Sequence, residues 1–219
     1  MEKTILFFLV VMMTNVGRSQ DLSIKDPATG KYFGAERYAD YKGSPYLVDE
    51  WITGDVTTGK GVYKNIQLKV NAVSNSIILN KAGEELEIVD DIKEFTLMPI
   101  AGDTSTYRHF VKGISGGGIA PKQFVERLVA GRTTLYKSNQ KTINEVNEIN
   151  VGIVKTFRNI DKYYLSDASG LKPIELDKKQ VISLLADKNS QIGDFISKEK
   201  LSFKNEKDLV KVIRYYNTL

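Results

Sequence analysis

Ile66-Gln67-Leu68-Lys69-Val70 decides the fold. Apolar and polar residues alternate with period two, which places one face on a core and the other in water. Leu86 and Ile88 repeat the pattern around Glu87, and Phe95 and Leu97 repeat it around Thr96. A half-buried strand of this kind belongs to an antiparallel sheet. Short turn signals separate the runs: Thr57-Thr58-Gly59-Lys60-Gly61, Ser74-Asn75, Lys81-Ala82-Gly83 and Asp90-Asp91. Connections this short leave no room for a crossover helix, so neighbouring strands should pair as a meander.

Beyond this stretch the pattern weakens. Residues 99–121 read as a Gly-rich loop. Residues 123–137 fit either a helix face (Phe124, Val125, Leu128, Val129) or two strands around Ala130-Gly131. The β-branched and aromatic residues after the turn favour the hairpin. Residues 138–158 are polar, with Asn144, Asn147 and Asn150, and read as a long excursion or an edge. Tyr163-Tyr164-Leu165, the Asp167-Ala168-Ser169-Gly170 turn and Pro173-Ile174-Glu175-Leu176 make a further hairpin.

From Asp177 the period becomes helical. Asp177 and Gln180 form a capping box ahead of Val181, Leu184 and Leu185. Ser190 is placed to cap a second short helix carrying Ile192, Phe195 and Ile196. Asn205 is placed to cap a third, with Leu209, Val212, Ile213 and Tyr216 on one face. Helices this short must pack on something. The fold class expected is α+β: an antiparallel β-rich body of meanders and hairpins, followed by three short C-terminal helices.

Before the body the chain carries two other segments. The opening MEKTILFFLVVMMTNVGRSQ has Lys3, an unbroken apolar run from Ile5 to Met13, and Gly17 and Ser19 before a cut ahead of Gln20. That is the layout of a secretory signal peptide, and the run is too short to span a bilayer. Residues 20–50 are irregular but aromatic, with Tyr32, Phe33, Tyr38, Tyr41 and Tyr46, and read as an arm partly docked on the β body. The expected organisation is a signal peptide over 1–19, an N-terminal arm over 20–50, the β body over 51–176 and the helical cap over 177–219. No later stretch is long and apolar enough for a membrane span, so the mature chain should have no transmembrane segment. The chain has no cysteine and no Asn-x-Ser/Thr sequon. Export without either fits a bacterial periplasm or cell surface.

These motifs carry one group resemblance. The β body opens near Ser44-Pro45-Tyr46-Leu47 and continues through Gly131-x-x-x-Leu135-Tyr136-Lys137 and Tyr163-Tyr164. It closes on Leu184-Leu185-Ala186-Asp187-Lys188, Ile192, Glu206-Lys207-Asp208-Leu209-Val210-Lys211 and Tyr215-Tyr216-Asn217. Over residues 44–219 this resembles a recurrent group of exported bacterial proteins with no assigned activity. The resemblance implies export and the same architecture, and it supplies no catalytic residue.

Composition excludes much chemistry. The 219 residues hold 31 lysines and arginines against 27 aspartates and glutamates, a net +4, with one histidine and no cysteine. There can be no thiol nucleophile, no iron–sulfur cluster and no cysteine-built zinc site. Gly113-Ile114-Ser115-Gly116-Gly117 matches Gly-x-Ser-x-Gly, but the lone histidine, His109, lies upstream, and three glycines make a poor helix opening. Gly113 and Gly118 have Walker spacing, but Ile119 and Ala120 stand where Lys and Ser/Thr belong. Glu84, Glu85, Glu87, Asp90, Asp91 and Glu94 cluster along a hairpin without the spacing of a calcium loop. No catalytic, cofactor-binding or metal-ligating residue is therefore assigned, and no cofactor is expected.

The charge is placed unevenly. Residues 178–219 hold nine basic and five acidic residues. Lys207, Lys211 and Arg214 fall at i, i+4, i+7 on one face of the last helix. That face suits an anionic partner: an envelope protein, a glycan or a lipid. The small excess and the export layout argue against nucleic acid. The sequence favours an exported cell-envelope protein with a non-enzymatic binding or structural role. The alternative is an envelope hydrolase using carboxylates of the acidic hairpin, which requires two of them to converge across a cleft.

Overall fold

The computed structural model describes residues 38–219. The expectations for the signal peptide and for most of the N-terminal arm lie outside the described residues. Eleven strands form one sheet: β1 (Tyr41–Lys42), β2 (Ile52–Thr58), β3 (Val62–Asn71), β4 (Ser76–Lys81), β5 (Glu84–Glu87), β6 (Ile92–Leu97), β7 (Arg108–Val111), β8 (Val125–Val129), β9 (Thr134–Glu148), β10 (Gly152–Asp167) and β11 (Gly170–Ile174). Three helices come after them: α1 (Lys178–Leu184), α2 (Asn189–Lys198) and α3 (Glu206–Tyr216). The fold is α+β.

The strand order is β1-β10-β9-β8-β7-β6-β2-β3-β4-β5, with β11 also on β10. Two features depart from a simple meander. β6 pairs with β2 instead of β5, and β1 lies parallel to β10 (Tyr41 against Lys155). Every other pairing is antiparallel. The loop expected over 99–121 contains β7, which completes the link from β6 to β8.

The polar stretch 138–158 is regular ladder. β9 and β10 pair over fifteen consecutive positions, from Thr134–Ser166 to Glu148–Gly152. The hairpin reading of 123–137 holds, with β8 and β9 on either side of the turn.

The sheet curls on itself. Leu47 N–H donates to Val70 O (2.8 Å), Ala72 N–H to Pro45 O (2.9 Å) and Lys141 N–H to Ala72 O (2.9 Å). These bonds bring the end of β3 against β9, five places away in strand order. One face of β2 to β7 then packs across the curl: Val56, Leu68, Phe95, Leu97 and Phe110 are all buried. Phe95 stacks on Phe110 at 4.6 Å and meets Phe124 edge-on. Gly54 is required here. A Cβ at that position would fall 2.4 Å from Thr96 O and 2.7 Å from Leu68 Cδ1, so any side chain would push β2 off β6.

The second core lies between the sheet and the helices. Leu135 and Leu165 from β9 and β10 meet Val181, Ile192, Ile196, Leu209, Val212 and Ile213. Amphipathic spacing dictates this, since each helix has an apolar stripe to bury. The caps explain where the helices start. Asp177 accepts from Gln180 N–H (2.8 Å), but the Gln180 side chain turns to accept from Glu175 N–H (2.6 Å), so the box is not reciprocal. Ser190 is not a cap. Asn189 is already helical (φ −48°, ψ −51°) because α2 continues directly from a 3-10 turn over Ala186–Lys188. Asn205 does cap α3, accepting from Asp208 N–H (3.3 Å).

The chain's end is locked to the sheet. Asn217 accepts from Thr133 N–H (2.9 Å) and donates to Thr133 O (2.8 Å). Gly131 makes that approach possible, because a Cβ there would lie 2.4 Å from Asn217 Nδ2.

Candidate functional site: a basic cleft between the last helix and the sheet

Burial of Leu209, Val212, Ile213 and Tyr216 fixes the rotation of α3. Lys207, Lys211 and Arg214 are then forced onto the opposite, exposed side. They form one wall of a cleft of about 530 Å³. Arg127 and Leu128 of β8, Arg108 of β7, and the Ser105–Tyr107 segment line the other side. That volume is within the roughly 300–1,000 Å³ range of small-molecule sites.

The cations of the cleft fall into two sets. Arg108 is held in a fork by Glu126, with Nε–Oε1 at 2.8 Å and Nη2–Oε2 at 2.6 Å. Asn139 Nδ2 donates to the same carboxylate (2.9 Å). Glu126 is buried, and an unpaired carboxylate there would be costly. Burial alone would lower the Arg108 pKa, but Glu126, with Glu206 and Asp161 beyond it, raises it above its ordinary value. Beside it, Lys137 Nζ lies 3.0 Å from Asp161 and 2.8 Å from Glu206, and Tyr163 Oη donates to Glu206 (3.1 Å). Burial lowers the Lys137 pKa, and its two carboxylates more than reverse that. Burial and the neighbouring Glu206 push the Tyr163 hydroxyl up to about 12, against the pull of Lys137. This network is internally satisfied, so Glu126 and Glu206 are committed to Arg108 and Lys137.

The second set is Arg127, Lys207, Lys211 and Arg214. Among the described residues none of the four has an ion-pair partner. Four positive charges around one cleft repel each other, and an anion bound between them would relieve that repulsion. Leu128 and Val210 add an apolar strip to the lining. The cleft therefore combines cations that have no ion-pair partner with a short apolar strip.

The sequence identified only the helical wall, because Lys207, Lys211 and Arg214 share one helix. Arg108 and Arg127 lie on separate strands, and only the β7–β8 pairing, with Val111 against Val125, brings them together. Alternating Glu126-Arg127 after Val125 was the one available signal, and it does not distinguish a site from a wet sheet face.

The other motifs go elsewhere. The acidic residues do not converge. Glu85 meets Lys69 (3.8 Å) and the Tyr46 hydroxyl (3.4 Å), Asp90 meets Lys60 (2.8 Å), and Asp91 meets Lys112. Among the described residues no group of three or more His, Asp or Glu side chains is placed to hold a metal. His109 is exposed on β7 and bonds Thr96 Oγ1 through Nδ1 (3.0 Å), not Ser115. The glycine loop folds as a tight turn, with Gly116 bridged to Ile119 and Gly117 packed under the Tyr164 ring. Among the described residues no helix is long and apolar enough to cross a membrane.

Comparison with family models, curated proteins and solved structures returns no match.

Proposed function

We propose that this chain is an exported, non-enzymatic binding protein of a bacterial envelope, and that it holds an anionic partner at the cleft between α3 and β8. The observation that carries the reading is the convergence of Arg127, Lys207, Lys211 and Arg214 on one concavity whose two carboxylates, Glu126 and Glu206, are already paired with Arg108 and Lys137. The N-terminal charge, apolar run and small residues support export, as does the resemblance to exported bacterial proteins. The recognised chemistry is a carboxylate or phosphate oxyanion, carried by an envelope glycan or a lipid headgroup. Dispersal of the acidic hairpin's carboxylates onto separate lysines supports binding over the hydrolase alternative.

Titration of the full chain with a polyuronate and with vesicles containing phosphatidylglycerol separates the two sources. One of them should bind, and the affinity should fall as salt rises. Reversing Lys211→Glu and Arg214→Glu together should weaken binding by tenfold or more, about 1.4 kcal/mol. Equal binding by that double variant, or binding insensitive to salt, would remove the cleft from consideration.

A further inference from the structure

The largest concentration of exposed apolar side chains is far from the cleft, at the tip of the β9–β10 hairpin. Ile149 (89% exposed), Val151 (68%), Ile153 (69%), Val146 (43%) and Ile143 (37%) fall within eleven residues. The ribbon carrying them leaves the body after Lys141. Up to that residue the outer edge of β9 is used: β8 pairs with it near Leu135–Lys137, and Lys141 N–H bonds Ala72 O. Beyond Lys141 no strand pairs with that edge among the described residues.

The ladder fixes which backbone groups are free. Lys141 N–H points outward to Ala72, and Asn144 O points inward, accepting from Thr156 Oγ1 (3.4 Å). Backbone direction alternates along a strand, so Ile143, Glu145 and Asn147 present their N–H and C=O groups to the outer edge. A bare, apolar, β-branched edge is a template for another strand.

We propose that this edge pairs with the same edge of a second copy of the chain, antiparallel, about a two-fold axis at Val146. That register sets Val146 against Val146, Glu145 against Asn147, Asn144 against Glu148, and Ile143 beside Ile149. Like charges never face each other, and each carboxylate meets an amide. The outward-facing odd residues fall opposite one another, as an antiparallel ladder requires. Two ribbons then join into one continuous sheet, whereas the two-stranded tip beyond β1, which flanks β10 only at Lys155 and Thr156, is marginal alone in water. A bilayer fits less well, because insertion would carry Glu145 and Glu148 toward the acyl chains, and 142–153 contain no aromatic or basic residue.

The test is sedimentation of the full chain over a range of concentrations. The unaltered protein should form a concentration-dependent dimer. V146K and V146E should each be monomers with unchanged circular dichroism, since each sets like charges across the axis. An equimolar mixture of the two should regain the dimer, because a lysine then meets a glutamate. Asn147→Pro removes an outward N–H without touching the β9–β10 ladder and should also give a monomer. A monomeric wild type, a dimer that survives all three substitutions, or a mixture that stays monomeric overturns the proposal. So does a wild-type monomer that binds phosphatidylcholine vesicles through Val146.

Discussion

β9 and β10 are one continuous ladder with two different ends. At the near end Leu135, Tyr164 and Leu165 are buried, with Leu135 and Leu165 under the three helices. At the far end Ile149 and Ile153 stand in solvent. The hydrogen bonding is the same throughout, with fifteen pairs in unbroken register. What differs is cover. Backbone pairing fixes the shape of a strand, but its energetics come from what packs on its side chains. One sequence can therefore use the same two strands as a core wall at one end and a projecting ribbon at the other.

The largest effect expected is from removing the cover. Ending the chain after Asp177 deletes α1 to α3 and exposes Val129, Leu135, Leu165 and Ile174 together. The near end then becomes a second bare ribbon face, wider and more apolar than the first. The truncated chain should aggregate on expression and bind a hydrophobic dye. A truncation as soluble and heat-resistant as the full chain would show that the two ends do not differ in kind.

Single side chains sharpen the contrast. Ile213 is fully buried against the sheet, and Ile149 is 89% exposed. Ile213→Ala should cost about 2–5 kcal/mol, because it loses burial and leaves a cavity. Ile149→Ala should stay within about 0.5 kcal/mol. Urea unfolding of the two variants at a concentration that keeps the chain monomeric measures both. Equal losses would mean that the tip is covered by something in the isolated chain.

The same contrast explains what could be read from sequence. The three helices were legible because each has one apolar stripe at helical spacing, as in Leu209, Val212, Ile213 and Tyr216. β3 was legible because one of its faces is wet. The ribbon was not, because both faces of 142–153 meet solvent and nothing imposes alternation on Asn144, Asn147 and Asn150. β7, four residues long between loops, showed only as a strand start at His109 and not as a link between β6 and β8. The return of β6 to β2 was not legible either, since local pattern makes strands without choosing partners. In the cleft, the residues sharing one helix were legible and those on separate strands were not.

A smaller effect than loss of Ile213 lies at the near end, where Tyr163 of β10 donates to Glu206 at the start of α3. Losing that hydroxyl in Tyr163→Phe removes a hydrogen bond to a carboxylate and should cost about 1 kcal/mol near neutral pH. The direction of the shift sets the sign of the pH dependence. Burial and Glu206 raise the folded-state pKa of Tyr163 to about 12, from 10.0 in the unfolded chain. Below about 10 the hydroxyl is protonated in both states and its contribution is complete. Above 10.0 the unfolded chain ionises first, so the contribution falls and is gone once the folded group ionises near 12. Lys137 acts in the same direction, because its raised pKa favours the folded state until it too loses its proton. Tyr46, also pushed up to about 12 by burial and Glu85, adds a similar alkaline loss within the β body. The gap in stability between the full chain and Tyr163→Phe should therefore narrow between about pH 10 and 12, while both proteins lose stability through Lys137 and Tyr46. Urea midpoints at a series of alkaline pH values measure it. A gap that stays constant would mean that Tyr163 titrates as it does in water and that the contact between α3 and the near end of the ladder is solvated.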